Sequence, residues 1–309
     1  MSTNTKKILI LGNSGSRRAA EAQHLLESSP EMTSADLEVQ QINLFETDHV
    51  ESSPDRVFVI GGDGTVRLAV NWLHRQPWKC PIAIIPAGTG NNLCKGLGFP
   101  LDLQEALQIA LHGQGQRFID TISITADGKS WGQMLQITST GLPARITHRF
   151  DRWRKVPVLR HPVRWLGDRF YRWLAIQALL METRRNRGVK VIIDGEELAV
   201  TGPAIFVGNE ATIGGGFTPC PQALLDDGLL DVCILPEVSY LEAFSLFREV
   251  SAGRHLDRYP DLIYRQARTV KLVQQAEPVL VDGDVLGSPE VLEFEVIPKS
   301  LHLITGNPN

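Results

Sequence analysis

Residues 57–73 read VFVIGGDGTVRLAVNWL. Val57–Ile60 is a short apolar run of the kind that forms a buried strand, and it runs into Gly61, Gly62, Asp63, Gly64 and Thr65. The three glycines admit positive φ and let a ligand come close to the backbone. A helix expected from Thr65, with Val66, Ala69, Val70 and Leu73 on one face, aims its N-terminal amides into that loop, where anions and phosphate above all are favoured. A carboxylate is awkward among amides that hold phosphate unless a cation lies between, so Asp63 points to Mg²⁺. Taken alone, Asp-Gly reads as a turn and Thr65 as a helix cap. The full strand–GGDGT–helix order favours a ligand.

A second loop has the same design. PIAIIPAGTGNNLCKGLGFP, residues 81–100, is again a strand ending in a Gly/Thr loop and then a helical turn. Two such strand ends, 25 residues apart at Gly61 and Pro86, suit one nucleoside triphosphate between them. Neither the GxxxxGK[ST] nor the GxGxxG pattern occurs, so the phosphate site is of another type.

These loops need a scaffold. KKILILG, DLEVQQINL, RVFVIGG and PIAIIPAG alternate with helix-like stretches, which predicts a parallel sheet covered by helices. Beyond about residue 118 the texture becomes short strands and Asp-Gly turns: FIDTISITADGKSWGQM, VKVIIDGEELAV and PVLVDGDVLG each read as a hairpin. The expected division is an α/β domain over 1–122 and a mainly β sandwich over 123–309. The sandwich is interrupted by a helical insertion near 160–185 and a helix near 239–252, and the last strands are free to pack back on the first domain.

Composition narrows the function. The formal charge of the 309-residue chain is −4, which argues against nucleic acid as a partner. No apolar run approaches the ~18 residues of a membrane span. The N-terminus reads as a first strand rather than a signal peptide. Cysteines 80, 94, 220 and 233 lack metal-ligand spacing and suit free thiols in a reducing cytoplasm. Charge is uneven: residues 145–190 hold 13 Lys+Arg against 3 Asp+Glu, with Trp153, Trp165, Phe170, Tyr171 and Trp173 interleaved. That stretch is either a helix with a solvated basic face or a surface for peripheral contact with an anionic membrane.

The motifs together resemble the diacylglycerol kinase catalytic family, which includes bacterial lipid kinases and sphingosine kinases. GGDGT at 61–65 is similar to its nucleotide loop, which NAD kinases share. PAGTGNN at 86–92 resembles the lipid-kinase P-x-G-T-x-N-D loop. TGLPARI at 140–146, GNEATIGGGFTPCPQALLDDGLLDVCIL at 208–235 and VLVDGDVLG at 279–287 resemble later blocks, and NAD kinases lack the 208–235 block. The resemblance implies ATP and Mg²⁺, an ATP cleft between two domains, and γ-phosphoryl transfer to a lipid hydroxyl. It implies phosphate contacts from Gly61, Gly62, Gly64, Thr65, Gly88 and Thr89, with Asn91 and Asn13 in the nucleotide site. It places Asp63 on Mg²⁺–ATP, and Asp227 with the carbonyls of Leu224 and Leu229 on a second Mg²⁺. Asp284 stands where the family has a glutamate as general base. Other departures are Val66-Arg67-Leu68 after GGDGT, Asn92 for Asp, and the missing proline around Asn13.

A lipid hydroxyl is a poor nucleophile, so a proton-accepting carboxylate helps, by about 10²–10⁴-fold. Asp284 lies in V-D-G-D, a turn able to project a side chain. Asp282 competes but fits a turn-stabilising role, and Glu210 has no assignable role. The expectation is an ATP-dependent lipid kinase acting on diacylglycerol or a related lipid, cytoplasmic and peripherally membrane-associated, with a homodimer compatible. The alternatives are a soluble-metabolite kinase of NAD kinase type and a non-catalytic lipid- or nucleotide-binding relative.

Overall fold

The computed structural model describes residues 6–12, 16–33, 37–43, 50, 53–154, 188–202, 204–213 and 217–306. The chain separates into two compact units. One takes residues 1–121 and 298–309, the other residues 122–297. The basic insertion expected near 160–185 lies outside the described residues, as does Asn13.

The first unit is an α/β layer. Strands β1 (Lys6–Gly12), β2 (Leu37–Asn43), β3 (Arg56–Gly61) and β4 (Ile82–Pro86) run parallel in the order β2-β1-β3-β4. Val57–Ile60 and Ile82–Ile85 are wholly buried, which explains apolar runs without alternation, as expected of a sheet covered on both faces. Phe58, Ile60, Ala83 and Ile85 share a core with Ala19, Ala22 and Leu26 of α1 (Arg17–Glu27). Leu103, Leu107 and Ala110 of α4 (Leu103–His112) complete it. Both helices start on caps: Ser16 accepts from the Ala19 amide, and Asp102 from those of Gln104 and Glu105.

The last strand of the chain closes this unit. Of β16 (Val291–Thr305), Leu303 pairs in parallel with Ile82 of β4. Asp120, fully buried in the middle of β5 (Gly115–Ala126), accepts from the Lys299 amide at 2.7 Å, and the Thr121 and Ser300 hydroxyls meet at 2.7 Å.

The second unit is a sandwich. One layer holds β8 (Gly188–Ile193), β9 (Glu196–Thr201), β13 (Thr269–Val273), the first part of β16, and a hairpin of β5 with β6 (Lys129–Met134). The other contains β7 (Ile137–Gly141), β10 (Ala204–Gly208), β11 (Leu230–Ile234), β12 (Ile263–Ala267), β14 (Val279–Val281) and β15 (Asp284–Gly287), in the order β12-β11-β10-β7-β14-β15. Ile205, Val207, Leu230 and Val232 of the second layer meet Val191, Leu272 and Phe294 of the first. The alternate residues Phe206 and Cys233 pack with Leu246 and Val250 of helix Tyr240–Ser251.

The three hairpins read from the sequence close on Asp-Gly turns with positive φ at both residues: Asp127/Gly128, Asp194/Gly195 and Asp282/Gly283. That is the type I′ geometry matching strand twist. Among the described residues, no helix is long and apolar enough to cross a membrane.

Candidate active site

The two glycine loops leave the sheet side by side. β3 and β4 pair in register so that Gly61 lies opposite Pro86, and the Ala87 amide donates to the Gly61 carbonyl. Beyond that pair the backbones touch. A Cβ on Gly88 would lie 2.4 Å from the Gly62 Cα, and one on Gly62 would lie 2.9 Å from the Gly88 Cα. A Cβ on Gly61 would fall 2.4 Å from that of Thr65. No larger residue fits these positions without moving backbone or the helix start. Gly64 differs, since a Cβ there meets nothing within 4 Å. It faces open space.

Asp63 joins the loops. Its Oδ2 accepts from the Asn92 amide and its Oδ1 from the Leu93 amide, both at 3.0 Å. These are the first amides of α3 (Asn92–Gly96), whose own N-cap, Asn91, makes no side-chain cap bond. The carboxylate thus caps a short helix 29 residues on. Asn91 has φ 49° and is buried, and its amide group braces its own loop: Oδ1 accepts from Gly88 N and Nδ2 donates to Gly88 O, both at 3.0 Å. Its side chain therefore shapes the loop, whereas Thr89 is exposed.

α2 spans Asp63–His74, so it begins two residues before the expected Thr65. Its N-cap is Gly62, without a side-chain cap bond, and the first turn of backbone bonds is closed by Val66 N to Gly62 O at 3.0 Å. The leading amides of such a helix have no intrahelical acceptor. One helix start in this loop pair is therefore capped by Asp63, while the neighbouring one opens beside Gly64.

In the second unit, Asp227 Oδ1 accepts from the Leu229 amide at 2.9 Å across a turn with Gly228 at φ 76°. Leu224 is exposed. Sequence reading missed Asp231. It is buried in the otherwise apolar β11, with Oδ1 accepting from the Tyr264 hydroxyl at 2.6 Å, and Oδ2 has no hydrogen-bond partner among the described residues. Burial pushes its carboxyl above the usual range, the Tyr264 and Gln266 hydrogen bonds oppose that, and the charge of Asp227 adds to the rise. The only sequence signal was an acid inside an apolar strand. Among the described residues no group of three His, Cys, Asp or Glu side chains is placed to hold a metal. Mg²⁺, however, takes oxygen donors and often only one or two carboxylates besides phosphate and water. Asp63 near open helix amides, and Asp227 as an exposed oxygen donor, fit that chemistry.

The competing aspartates of V-D-G-D separate cleanly. Asp282 is buried and accepts from the Leu135 and Gln136 amides, each at 2.9 Å. Asp284 opens β15 with its side chain exposed. Glu210 is buried and receives the Gln136 side-chain amide at 2.8 Å.

Comparison with known proteins agrees with an α/β part followed by a β sandwich. Residues 7–124 match the diacylglycerol kinase catalytic domain, and residues 136–305 match the YegS C-terminal NAD kinase beta sandwich-like domain. A Mycobacterium tuberculosis protein named "Diacylglycerol kinase" is 28% identical over 257 residues, covering 82% of this chain and 78% of that one. A Stenotrophomonas maltophilia protein named "Probable lipid kinase YegS-like" is 32% identical over 245 residues, covering 74% of each. A solved Bacillus anthracis structure described as a diacylglycerol kinase superposes with TM-score 0.66 at 20% identity, over 98% of this chain and 97% of that one.

Proposed function

The chain belongs to the family of diacylglycerol kinases and YegS-like lipid kinases, and from that premise we propose that it transfers the γ-phosphoryl group of ATP to a lipid hydroxyl, diacylglycerol or a close relative being the acceptor. The observation that carries the reading is the loop pair of the first unit, where Asp63 locks two glycine loops together while the start of α2 stays open beside Gly64. Open helix amides favour phosphate, and a rigid pair of loops holds it without rearrangement, the main requirement of phosphoryl transfer.

Gly61, Gly62, Gly64, Thr65, Gly88 and Thr89 would line the phosphates. Asn91 and Asp63 would keep the loops in place, and each Asp63 oxygen, engaged by one amide, retains a lone pair for Mg²⁺. Asp227 with the Leu224 and Leu229 carbonyls would hold a second Mg²⁺. Bound Mg²⁺ neutralises phosphate charge. Asp284 would take the proton of the lipid hydroxyl as its oxygen bonds to phosphorus and the bond to ADP breaks. Exposure favours Asp284 for that role over Asp282, which is buried and tied to two amides.

Incubating the protein with γ-labelled ATP, extracted membrane lipids and NAD tests this. Label is expected in an organic-soluble product. Label on NAD instead would select the metabolite-kinase alternative, and ATP binding with no labelled lipid would select a non-catalytic one.

A further inference from the structure

α5 (Tyr240–Ser251) carries an exposed stripe that the phosphoryl-transfer reading does not use. Phe244 is 63% exposed, the most exposed large apolar side chain among the described residues. Phe247, one turn on, is 40% exposed and is anchored from below, its ring 5.1 Å from that of Phe217. Arg248 follows on the same face, since positions three and four apart are neighbours on a helix. The helix itself is firmly set by a capping box of Ser239 with Glu242 and by Ala243, Leu246 and Val250 in the core.

Beside this stripe lies a charged cluster. Glu249 is fully buried, yet its carboxylate meets Arg248 at 3.2 Å, Arg254 at 3.1 Å and Arg258 at 3.7 Å, and those three side chains are 60–62% exposed. The guanidinium groups therefore cover the carboxylate and face solvent. Burial alone would raise the Glu249 carboxyl, but Arg254 and Arg258 hold it below the usual range. One carboxylate cannot satisfy three guanidinium groups with five N–H groups each, and planar guanidinium forks suit phosphate oxygens. Glu242, Asp257 and Asp261 are exposed acids close by in the chain, so the attraction is to phosphate groups at a fixed point and not to net charge.

We propose that this face docks the protein on an anionic phospholipid bilayer, with Phe244 entering the interface and Arg248, Arg254 and Arg258 gripping headgroup phosphates. Aromatic and basic groups side by side on an amphipathic helix are what such a surface takes. The choice of a bilayer as occupant rests on the lipid-acceptor reading, whereas docking itself needs no turnover.

The test uses the full chain and vesicles of phosphatidylglycerol with phosphatidylcholine, against vesicles of phosphatidylcholine alone, without ATP. The parent is expected to pellet with the anionic vesicles. Phe244→Ser, at an exposed site where folding is not at stake, should weaken binding about tenfold. Arg254→Gln with Arg258→Gln should weaken it ~25-fold, at about fivefold per charge. Turnover on a short-chain acceptor dissolved without vesicles should be unchanged in both. Equal pelleting of all three proteins overturns the docking face while leaving the kinase reading intact. Weakened pelleting in a protein that phosphorylates no lipid would sustain docking and remove the kinase reading. If Phe244→Ser instead converts a dimer to a monomer in sedimentation and leaves vesicle binding alone, the face is a subunit contact and the proposal fails.

Discussion

Asp63 in the first unit and the three hairpin aspartates of the second do the same local work in different surroundings. Asp127 accepts from the amides of Glu290 and Val291, Asp194 from those of Arg268 and Thr269, Asp282 from those of Leu135 and Gln136, and Asp63 from those of Asn92 and Leu93. Each is followed by glycine, and each ties two successive amides of a distant segment. The hairpin clamps sit in type I′ turns and join strand ends within a sandwich. The Asp63 clamp sits at the first turn of α2 and joins two loops whose backbones touch at Gly62 and Gly88. A clamp between strands supports architecture, while a clamp between glycine loops fixes a surface that a ligand can use. Asp-Gly alone does not separate the two, and the neighbours decide.

The sharpest way to break this comparison is to make one chemical change at two clamps. Asp63→Asn and Asp282→Asn each turn one acceptor oxygen into an NH₂ facing an amide N–H. Each should cost about 2 kcal/mol of stability, roughly 5 °C in Tm. Turnover should fall at least about a hundredfold in Asp63→Asn, the scale of losing a preorganised electrostatic contact, and stay near the parent's in Asp282→Asn. Matching turnover losses in the two proteins would erase the distinction.

Glycine substitutions sharpen it next. Gly64→Ala has room for its methyl group, so melting should be unchanged or slightly higher, while KM for ATP rises about tenfold because the phosphate approach is narrowed. Gly88→Ala, driven against Gly62, should lose both stability and nucleotide binding. A Gly64→Ala enzyme with parental KM would place the nucleotide elsewhere.

Asp227 is the fifth Asp-Gly and departs from the pattern, since the Leu229 amide it accepts belongs to its own turn. If it holds Mg²⁺, added Mg²⁺ without ATP should raise the parent's Tm, by up to about 2.7 kcal/mol of stabilisation at a hundredfold excess over Kd. Asp227→Ala should lose that increment. Equal Mg²⁺ response in both proteins would return Asp227 to a turn residue.

The smallest effect is in pH dependence, where two acids of the second unit have opposite signs. Burial would raise Asp194, but the Thr269 and Arg268 contacts lower it below its ordinary 3.8. Its contribution is thus fully present above that value and is lost as pH falls through the lowered pKa. Asp231 is raised above 3.8 by burial, so its folded form binds the proton more tightly than the unfolded chain, and stability declines as pH rises through that interval. Acid titration of Tm in Asp194→Asn should flatten the loss below 3.8, and in Asp231→Asn the loss above it. The same curve for both variants would contradict the assignment.

Much of this was legible in the sequence. Buried parallel strands show as unbroken apolar runs such as Val57–Ile60, and the hairpins show as Asp-Gly between alternating segments, because both signals are local. The partner of Asp63 was not legible, since the amides it caps lie 29 and 30 residues away and nothing local encodes their meeting. The carboxylate that looked in need of a cation has two protein donors. Nor did spacing reveal that Glu249 draws together Arg248, Arg254 and Arg258, or that Asp231 finds Tyr264 across neighbouring strands. Such pairings are set by tertiary register, and charge counting along the chain points instead to residues 145–190.

The parallel pairing of Leu303 with Ile82 bears on biosynthesis. A chain made from its N-terminus releases β4 from the ribosome long before the strand that will lie beside it, and the whole sandwich is made in between. Until then β4 presents an unpaired edge, an invitation to mispairing, and closing the gap is a slow, high-contact-order event. The loops at Gly61 and Pro86 hang from that same sheet, so loss of the last part of β16 should injure those loops, far away in sequence, before it troubles the sandwich. During synthesis β4 then waits unpaired until the last part of β16 has emerged, and a holding chaperone that shields its edge should raise the yield of folded protein.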